Sequence, residues 1–424
     1  MSAALTSRIA EDYAVAQRQP SPAVAAARRG QAIGLLTAAG LPTTRDENWK
    51  YASLRALEKL RFLPPAPVRG APALPAPLAD FARCVFIDGR FAPELSAAAP
   101  AGFSTLATAP AVAVDLSVQE RSADQRFARL NEAFATDGAR LEIRAGASAR
   151  LELVFVASAE AEAGASYPRI EVGVAAGAGL ELLERHVSAG DAGSFVNSAV
   201  QVALGRGARL RHYRLQDLSA RSQHFDTLEV TLAREASYRL HAVSTGAAAA
   251  RSTQLLRLGG EHAELSMSVA ALGDRQQVQD SFALLEHTAP HTRTEQLFRG
   301  IAAGRSRVAF NGKVVVAAGA AGSDSRQSLR GLLAGADAEI DVRPQLEIYT
   351  DDVRCSHGAS AGKLDENMLF YLLSRGLARD TALRLLKWAF LADAFASIEV
   401  APLRRQIEER LAGVLQDATL KELL

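Results

Sequence analysis

The sequence predicts a mainly β protein in which a β-solenoid core lies between two helical regions. Three observations support this prediction: a strand pattern that recurs about every thirty residues, an alanine-rich helical region before it, and a second helical region after it. The chain has 424 residues, and a single hydrophobic core usually stops growing at about 250–300 residues. We therefore expect an elongated repeat or several domains.

Residues 1–62 are interpreted as an N-terminal helical domain. Alanine-rich amphipathic segments cover residues 2–18 and 23–39 of this region. Residues 63–79 follow as a linker with six prolines, a density that is incompatible with a regular helix or a central strand.

Residues 80–345 are interpreted as the β-solenoid core. A small residue followed by alternating hydrophobic residues recurs here, and no helix-length segment intervenes. A period of about 20–50 residues is typical of a solenoid, in which equivalent positions of stacked coils form one continuous core. An ordinary β-sandwich with evenly spaced strands is the alternative that the pattern alone leaves open. Steps of 29, 30, 30 and 25 residues separate the key hydrophobic positions Leu151, Leu180, Leu210, Leu240 and Leu265.

Residues 346–424 are interpreted as a C-terminal helical domain. Asp365 and Asp380 are placed to cap two helices, and Pro402 lies near the start of a third. The middle helix is apolar on nearly all sides. Such a helix is either central in its own domain or part of a protein interface.

Composition and absent motifs exclude several classes of function. The net charge of +1 gives no general attraction to nucleic acid or to an anionic membrane. No apolar run approaches the roughly 18 residues needed to span a bilayer, and the N-terminus lacks the apolar stretch of a secretory signal. P-loop, GxSxG, HExxH and CxxC motifs are absent. We expect a cytoplasmic protein without a nucleic-acid or membrane partner, without a directly bound nucleotide and without a catalytic site of its own.

Cys355 and His357 are the candidate site residues. Residues two apart on an extended strand point to the same face, so the thiol and the imidazole could bind iron or a cluster together. A buried strand cysteine beside a turn histidine is the alternative that the residues alone leave open. An iron–sulfur cluster usually needs about four thiolate-type ligands, whereas the chain has only one other cysteine, Cys84, in an apolar strand. A partner must therefore complete any cluster site.

His287 and His291 are a second, weaker candidate for a metal site. Histidines four apart on a helix can bind zinc. Pro290 lies between the two and opposes a regular helix. We expect an exposed loop here.

Two segments resemble the SufB/SufD family of the SUF iron–sulfur cluster assembly system. They are HTAPHTRTEQLFRGIAAGRSRVAFNGKVVV at 287–316 and RPQLEIYTDDVRCSHGASAGKLDENMLFYLLSRGL at 343–377. The sequence CSHG at 355–358 and the sequence RDENWKYASL at 45–54 are similar to the SufD branch of that family.

The resemblance implies a right-handed parallel β-helix with helical domains on both sides. It also implies a noncatalytic scaffold that pairs with SufB, docks the SufC ATPase through its C-terminal helices and shares a transient iron–sulfur cluster with SufB. By position, His357 corresponds to a histidine implicated in cluster formation, and Cys355 to the cysteine beside it. The resemblance leaves open whether the isolated chain forms a homodimer and whether a flavin binds to the complex. The apolar residues expected to dock SufC are Leu383, Leu386, Trp388, Phe390, Leu391 and Phe395.

Two other functions are less well supported by the sequence. A SufB-like main scaffold needs a persulfide-accepting thiol, and cysteines are scarce in this chain. A β-solenoid that binds or processes a polymer would carry a repeated row of aromatic or charged residues, and the repeat has no such row.

Overall fold

The computed structural model describes residues 2–18, 24–52, 54–65, 72–108, 123–158 and 164–415. Part of the predicted linker, residues 66–71, and the end of the predicted C-terminal domain, residues 416–424, lie outside the described residues. Among the described helices, none is both long and apolar enough to cross a membrane.

Five of the six described α-helices lie at the two ends of the chain. The sixth, Arg126–Phe134, lies between strands, in the region where the sequence predicted no helix-length segment. Short 3-10 helices cover Glu47–Trp49, Arg55–Lys59, Pro93–Leu95 and Ala123–Gln125. The described α-helices are α1 (Ser2–Ala16), α2 (Ala26–Ala39), α3 (Arg126–Phe134), α4 (Glu366–Ser374), α5 (Arg379–Ala392) and α6 (Ala401–Val414).

The strands fill the centre of the chain, and from Arg169 onward they alternate between two sheets. They are β1 (Ala82–Ile87), β2 (Arg90–Phe91), β3 (Phe103–Thr105), β4 (Ala139–Ile143), β5 (Ser148–Ala157), β6 (Ala165–Ser166), β7 (Arg169–Val174), β8 (Gly179–Ser188), β9 (Phe195–Leu204), β10 (Arg209–Asp217), β11 (Gln223–Leu232), β12 (Ser237–Ser244), β13 (Ala249–Leu258), β14 (Glu264–Gly273), β15 (Val278–His287), β16 (Arg293–Ala302), β17 (Arg307–Val316), β18 (Ser323–Leu333), β19 (Glu339–Ile348) and β20 (Val353–Gly362).

The strand order is that of a β-solenoid, which confirms the predicted fold class and rules out a sandwich. One sheet has the order β2-β1-β5-β8-β10-β12-β14-β16-β18-β20. The other has the order β19-β17-β15-β13-β11-β9-β7-β4-β3, and β6 pairs with β9. Apart from the β1–β2 and β3–β4 pairs, the pairing among the described strands is parallel. Each coil therefore places one strand on each sheet, directly over the previous coil.

The predicted hydrophobic repeat lines the interior, but it occupies two neighbouring columns rather than one. Leu210 pairs in register with Leu180 and Tyr238. Leu151 and Leu240 belong to the next inward column, where Leu151 pairs with Leu182. The turns between coils differ in length, so an equal sequence step does not always return to the same column. Complete burial of one such leucine side chain contributes about 1.5–3 kcal/mol.

A charged cluster lies inside the middle coils, among these apolar columns. Arg214 Nε and Nη2 each donate to the Glu184 carboxylate at 2.9 Å, and Arg214 Nη1 donates to Asp226 on the opposite sheet at 2.8 Å. His186 and His212 contact the same Glu184 carboxylate at 2.6 and 3.1 Å. Burial alone would raise the pKa of Glu184, but Arg214 and the two imidazoles hold it well below its usual range. The cluster therefore joins the two sheets by charge.

The C-terminal helices pack on the outer face of the first sheet. Leu391 and Phe395 are buried in one apolar cluster with Leu183, Tyr213 and Ile301 of the solenoid. The sheets themselves continue through β19 and β20 to Gly362, beyond residue 345, where the sequence analysis ended the core. The division of the chain into domains remains a prediction.

Helix capping follows the sequence in two of three places. The Asp365 carboxylate accepts hydrogen bonds from the amides of Asn367 and Met368, which confirms the predicted cap of α4. Pro402 lies in the first turn of α6, as predicted. Asp380 is not a cap, because α5 begins at Arg379, one residue before it. Asp380 lies in the first turn, where a carboxylate interacts favourably with the helix dipole.

Replacing Arg214 with leucine is expected to lower the free energy of unfolding by about 3–5 kcal/mol, because two carboxylates would stay buried without a cation. Arg239→Leu is the matched control. Arg239 pairs with Glu399 at the surface, and both side chains are about half exposed, so less than about 1 kcal/mol is expected. Chemical denaturation of both variants tests this, and equal effects would contradict it.

Candidate functional site

Cys355 and His357 lie on β20, the last strand of the first sheet. Cys355 pairs in register with Ser325, and His357 pairs with Gln327. Ser325 and Gln327 are buried on the interior side of β18. Cys355 and His357 therefore share the face of β20 that continues the solenoid interior, as the two-residue spacing indicates.

The columns beneath these two residues change from apolar to polar as they approach the last coil. The column of Cys355 contains Leu180, Leu210, Tyr238 and Leu265, and then Thr294 and Ser325. The column of His357 contains Leu182, His212, Leu240 and Met267, and then Gln296 and Gln327. The last three coils therefore present a polar interior beneath the candidate site.

Hydrogen bonds connect this polar interior. Thr294 Oγ1 donates to Ser325 Oγ at 2.8 Å, and His287 Nε2 lies 3.0 Å from Thr294 Oγ1. In the neighbouring column, Gln327 Nε2 donates to Gln296 Oε1 at 2.8 Å. The polar groups are thus paired side chain to side chain from coil to coil.

The sequence analysis missed Thr294, Gln296, Ser325 and Gln327, although a signal for them exists. The triplets Thr-Glu-Gln at 294–296, Ser-Arg-Gln at 325–327 and Cys-Ser-His at 355–357 recur at steps of 31 and 30 residues. This is the solenoid period with polar residues at the inward positions. A search limited to hydrophobic repeats does not find it.

The two candidate ligands differ in exposure. Cys355 is half-buried, and His357 is exposed. Burial raises the pKa of the Cys355 thiol, and a backbone hydrogen bond from Ser325 partly opposes this increase. The sulfur is therefore a thiol at neutral pH until a metal or a cation displaces the proton.

The chemistry that these residues can supply is limited. Within the described residues, no group of three or more His, Cys, Asp or Glu side chains could hold a metal ion. Cys84 is buried in the solenoid core, where burial raises its pKa to about 11. Cys355 and His357 together can supply two ligands, an imidazole nitrogen and a sulfur.

His287 and His291 lie apart in the structure. The prediction of an exposed loop is wrong for His287, because β15 extends to this residue and buries it completely. His291 occupies the following turn with φ at 55°. Its ring stacks on His262 of the preceding coil with 5.2 Å between ring centroids.

The apolar face of α5 is divided between the solenoid and the surface. Leu391, in the last turn of α5, and Phe395, three residues after the helix ends, are buried against the first sheet. Leu383, Leu386, Trp388 and Phe390 are half-buried. Large apolar side chains are more exposed on the preceding helix α4: Met368 at 58%, Phe370 at 72% and Tyr371 at 57%.

Comparison with known proteins places this solenoid in a functional context. The family model described as "SUF system FeS cluster assembly, SufBD core domain" matches residues 154–390. The iron–sulfur cluster assembly protein SufD of Escherichia coli K12 is 31% identical over 391 residues, which cover 90% of this chain and 91% of SufD. An iron–sulfur cluster assembly SufBD family protein of Synechocystis is 28% identical over 404 residues, which cover 90% of this chain and 89% of that protein.

Stability is expected to fall as the pH decreases from about 6.5 to about 4, partly because of His287. Burial lowers the pKa of His287 from 6.5 to about 4. Unfolding in this range therefore takes up a proton that the folded state excludes, which costs stability only at the lower pH. In His287→Gln, the difference in unfolding free energy between pH 7 and pH 4 should shrink by at most about 3 kcal/mol. An unchanged pH dependence, measured by denaturation at both pH values, would contradict this.

Proposed function

Because the chain belongs to the SufBD family of the SUF iron–sulfur cluster assembly system, we propose that it is a noncatalytic scaffold of the SufD type. It pairs with SufB, docks SufC through its C-terminal helices, and leaves ATP hydrolysis to SufC. His357, with Cys355, contributes ligands to a site at which the cluster is assembled as a cargo shared with SufB. The complex acts in the cytoplasm.

The proposed pairing with SufB is supported mainly by the uncovered last coil. The residues of β20 are exposed except for Val353 and Cys355, which are half-buried, whereas the strand beneath it, β18, buries its inward side chains. The inward residues Ile340, Val342 and Leu346 of β19 are likewise only partly buried. A solenoid end of this kind needs a cap, since it exposes apolar side chains and unpaired strand edges. A second solenoid with a matching end supplies such a cap.

The choice of His357 as a ligand follows from its place at this end. It lies on the interior-facing side of β20, in a column that a capping partner would continue with ligands of its own. A neutral imidazole is a suitable ligand for iron, and the remaining ligands of a cluster then come from SufB. Cys355, one column away on the same face, is the second candidate ligand.

The exposed side of the C-terminal helices supports the SufC dock. Met368, Phe370 and Tyr371 of α4 form an exposed apolar patch of the kind that marks protein interfaces. The half-buried residues of α5, Leu383, Leu386, Trp388 and Phe390, extend this surface in the proposal. Leu391 and Phe395 hold α5 on the solenoid and contribute to docking only by positioning it.

Paired variants separate the two proposed interfaces. Ile348 and Tyr349 are exposed at the end of β19, at 41% and 62%. Replacing both with aspartate should weaken SufB binding about tenfold or more and leave SufC binding unchanged, because burying a new charge is unfavourable. Replacing Phe370 and Tyr371 with aspartate should weaken SufC binding about tenfold or more and leave SufB binding unchanged. Binding of purified SufB and SufC to each variant measures this, and loss of both partners in either variant would contradict the assignment.

His357→Ala is expected to lower cluster formation on the purified complex about tenfold or more, because it removes an iron ligand. The matched control is Ser356→Ala, on the opposite face of the same strand. Assembly of each complex is confirmed first by size-exclusion chromatography. An unchanged cluster yield in an intact His357→Ala complex would disprove the role of the imidazole as a ligand.

A further inference from the structure

The side-chain amide of Gln327 has a fixed orientation beneath the last coil. Its Nε2 donates to Gln296 Oε1 of the coil below at 2.8 Å and to the carbonyl oxygen of Gly312 on the opposite sheet at 3.0 Å. Turning the amide over would bring its oxygen against these two acceptors. The two donors of Gln327 are therefore used on the side away from the solenoid end.

The amide oxygen of Gln327 is left without a partner. Gln327 Oε1 is buried and accepts no hydrogen bond from the described residues. Because the amide is planar, this oxygen lies on the side away from its NH₂ group. His357 is the register partner of Gln327 on the next strand and shares its face, and neighbouring strands lie about 4.8 Å apart.

The free-energy balance favours a contact between the two side chains. Leaving a buried acceptor unpaired costs the full desolvation of that group. Fixing one side chain of the size of histidine costs less. His357 is exposed, so its side chain can change rotamer without disturbing the packed interior.

We propose that Gln327 is a positioning residue for His357: its Oε1 accepts a hydrogen bond from one imidazole nitrogen and so selects a single tautomer. The other nitrogen is then deprotonated and directed away from the floor of the solenoid, towards a capping partner. Histidines that bind metals commonly donate their second N–H to an oxygen in this way. The consequence for iron rests on the proposed function, but the hydrogen bond itself does not.

Gly312 makes room for this arrangement. A Cβ atom at this position would lie 2.3 Å from Gln296 Oε1 and 3.0 Å from Gln327 Nε2. The missing side chain therefore lets two glutamine side chains lie across the interior. An alanine here would displace the amide that orients His357.

Nitrogen NMR of the full chain with ¹⁵N-labelled histidine tests the inference, with the His357 signals assigned by their loss in His357→Ala. At a pH where the imidazole is neutral, the unaltered chain should show one dominant tautomer of His357. Gln327→Leu should give a mixture of both tautomers, since the acceptor is gone. Ser325→Ala, in the same strand beneath Cys355, should leave the His357 signals unchanged.

Two results would overturn the inference: a mixture of tautomers in the unaltered chain, or a single tautomer that persists in Gln327→Leu. Iron binding by the complex with SufB gives the second readout, and Gln327→Leu should weaken it about tenfold or more. If the tautomer responds as expected but His357→Ala forms clusters normally, the proposed function fails and the hydrogen bond stands. If cluster formation requires His357 but the tautomer of His357 does not change in Gln327→Leu, only the inference fails.

Discussion

Each coil of a stacked solenoid pairs its strand edges with the next coil and packs its inward side chains beneath those of that coil, and the last coil has no successor. The inner columns run from one coil to the next in parallel register, so the interior stays closed until β18. At β20 the same inward positions are open to solvent. The exposure of His357 is therefore a consequence of where the repeat stops, and a residue that would be core in any earlier coil becomes a surface group.

The interior chemistry changes along the same axis. The middle coils hold an apolar core that also contains Glu184, Arg214 and Asp226. The two carboxylates and the guanidinium of this cluster pair with one another. The last coils hold threonine, serine and glutamine side chains that form hydrogen bonds between neighbouring coils. A buried polar group is costly unless it is paired. Both carboxylate oxygens of Glu184 are paired, whereas Gln327 Oε1, directly beneath the face proposed for assembly, has no partner among the described residues.

The repeat, the flanking helices and the shared face of Cys355 and His357 could all be predicted from the sequence. Alternating leucines at a regular step are sufficient for the coils, because burial of one face requires period two in a strand. The polar floor could not be found in the same way, because Thr294, Ser325 and Gln327 resemble surface residues until the register is known. The side of α5 that faces the solenoid also could not be predicted from the sequence, because a helix that is apolar all round does not indicate which residues pack inward. Leu391 and Phe395 pack on the solenoid, and α4 carries the exposed residues instead.

Backbone amide hydrogen exchange directly tests the proposal that SufB covers the last coil. Pro344 removes one amide from β19, whereas β20 contains no proline and offers a complete strand edge. Exchange is measured for the full chain alone and with an excess of SufB. The account predicts that exchange slows on residues 353–362 when SufB is added and stays unchanged in the middle coils. Unchanged exchange on residues 353–362 in a chain that has bound SufB would contradict the account.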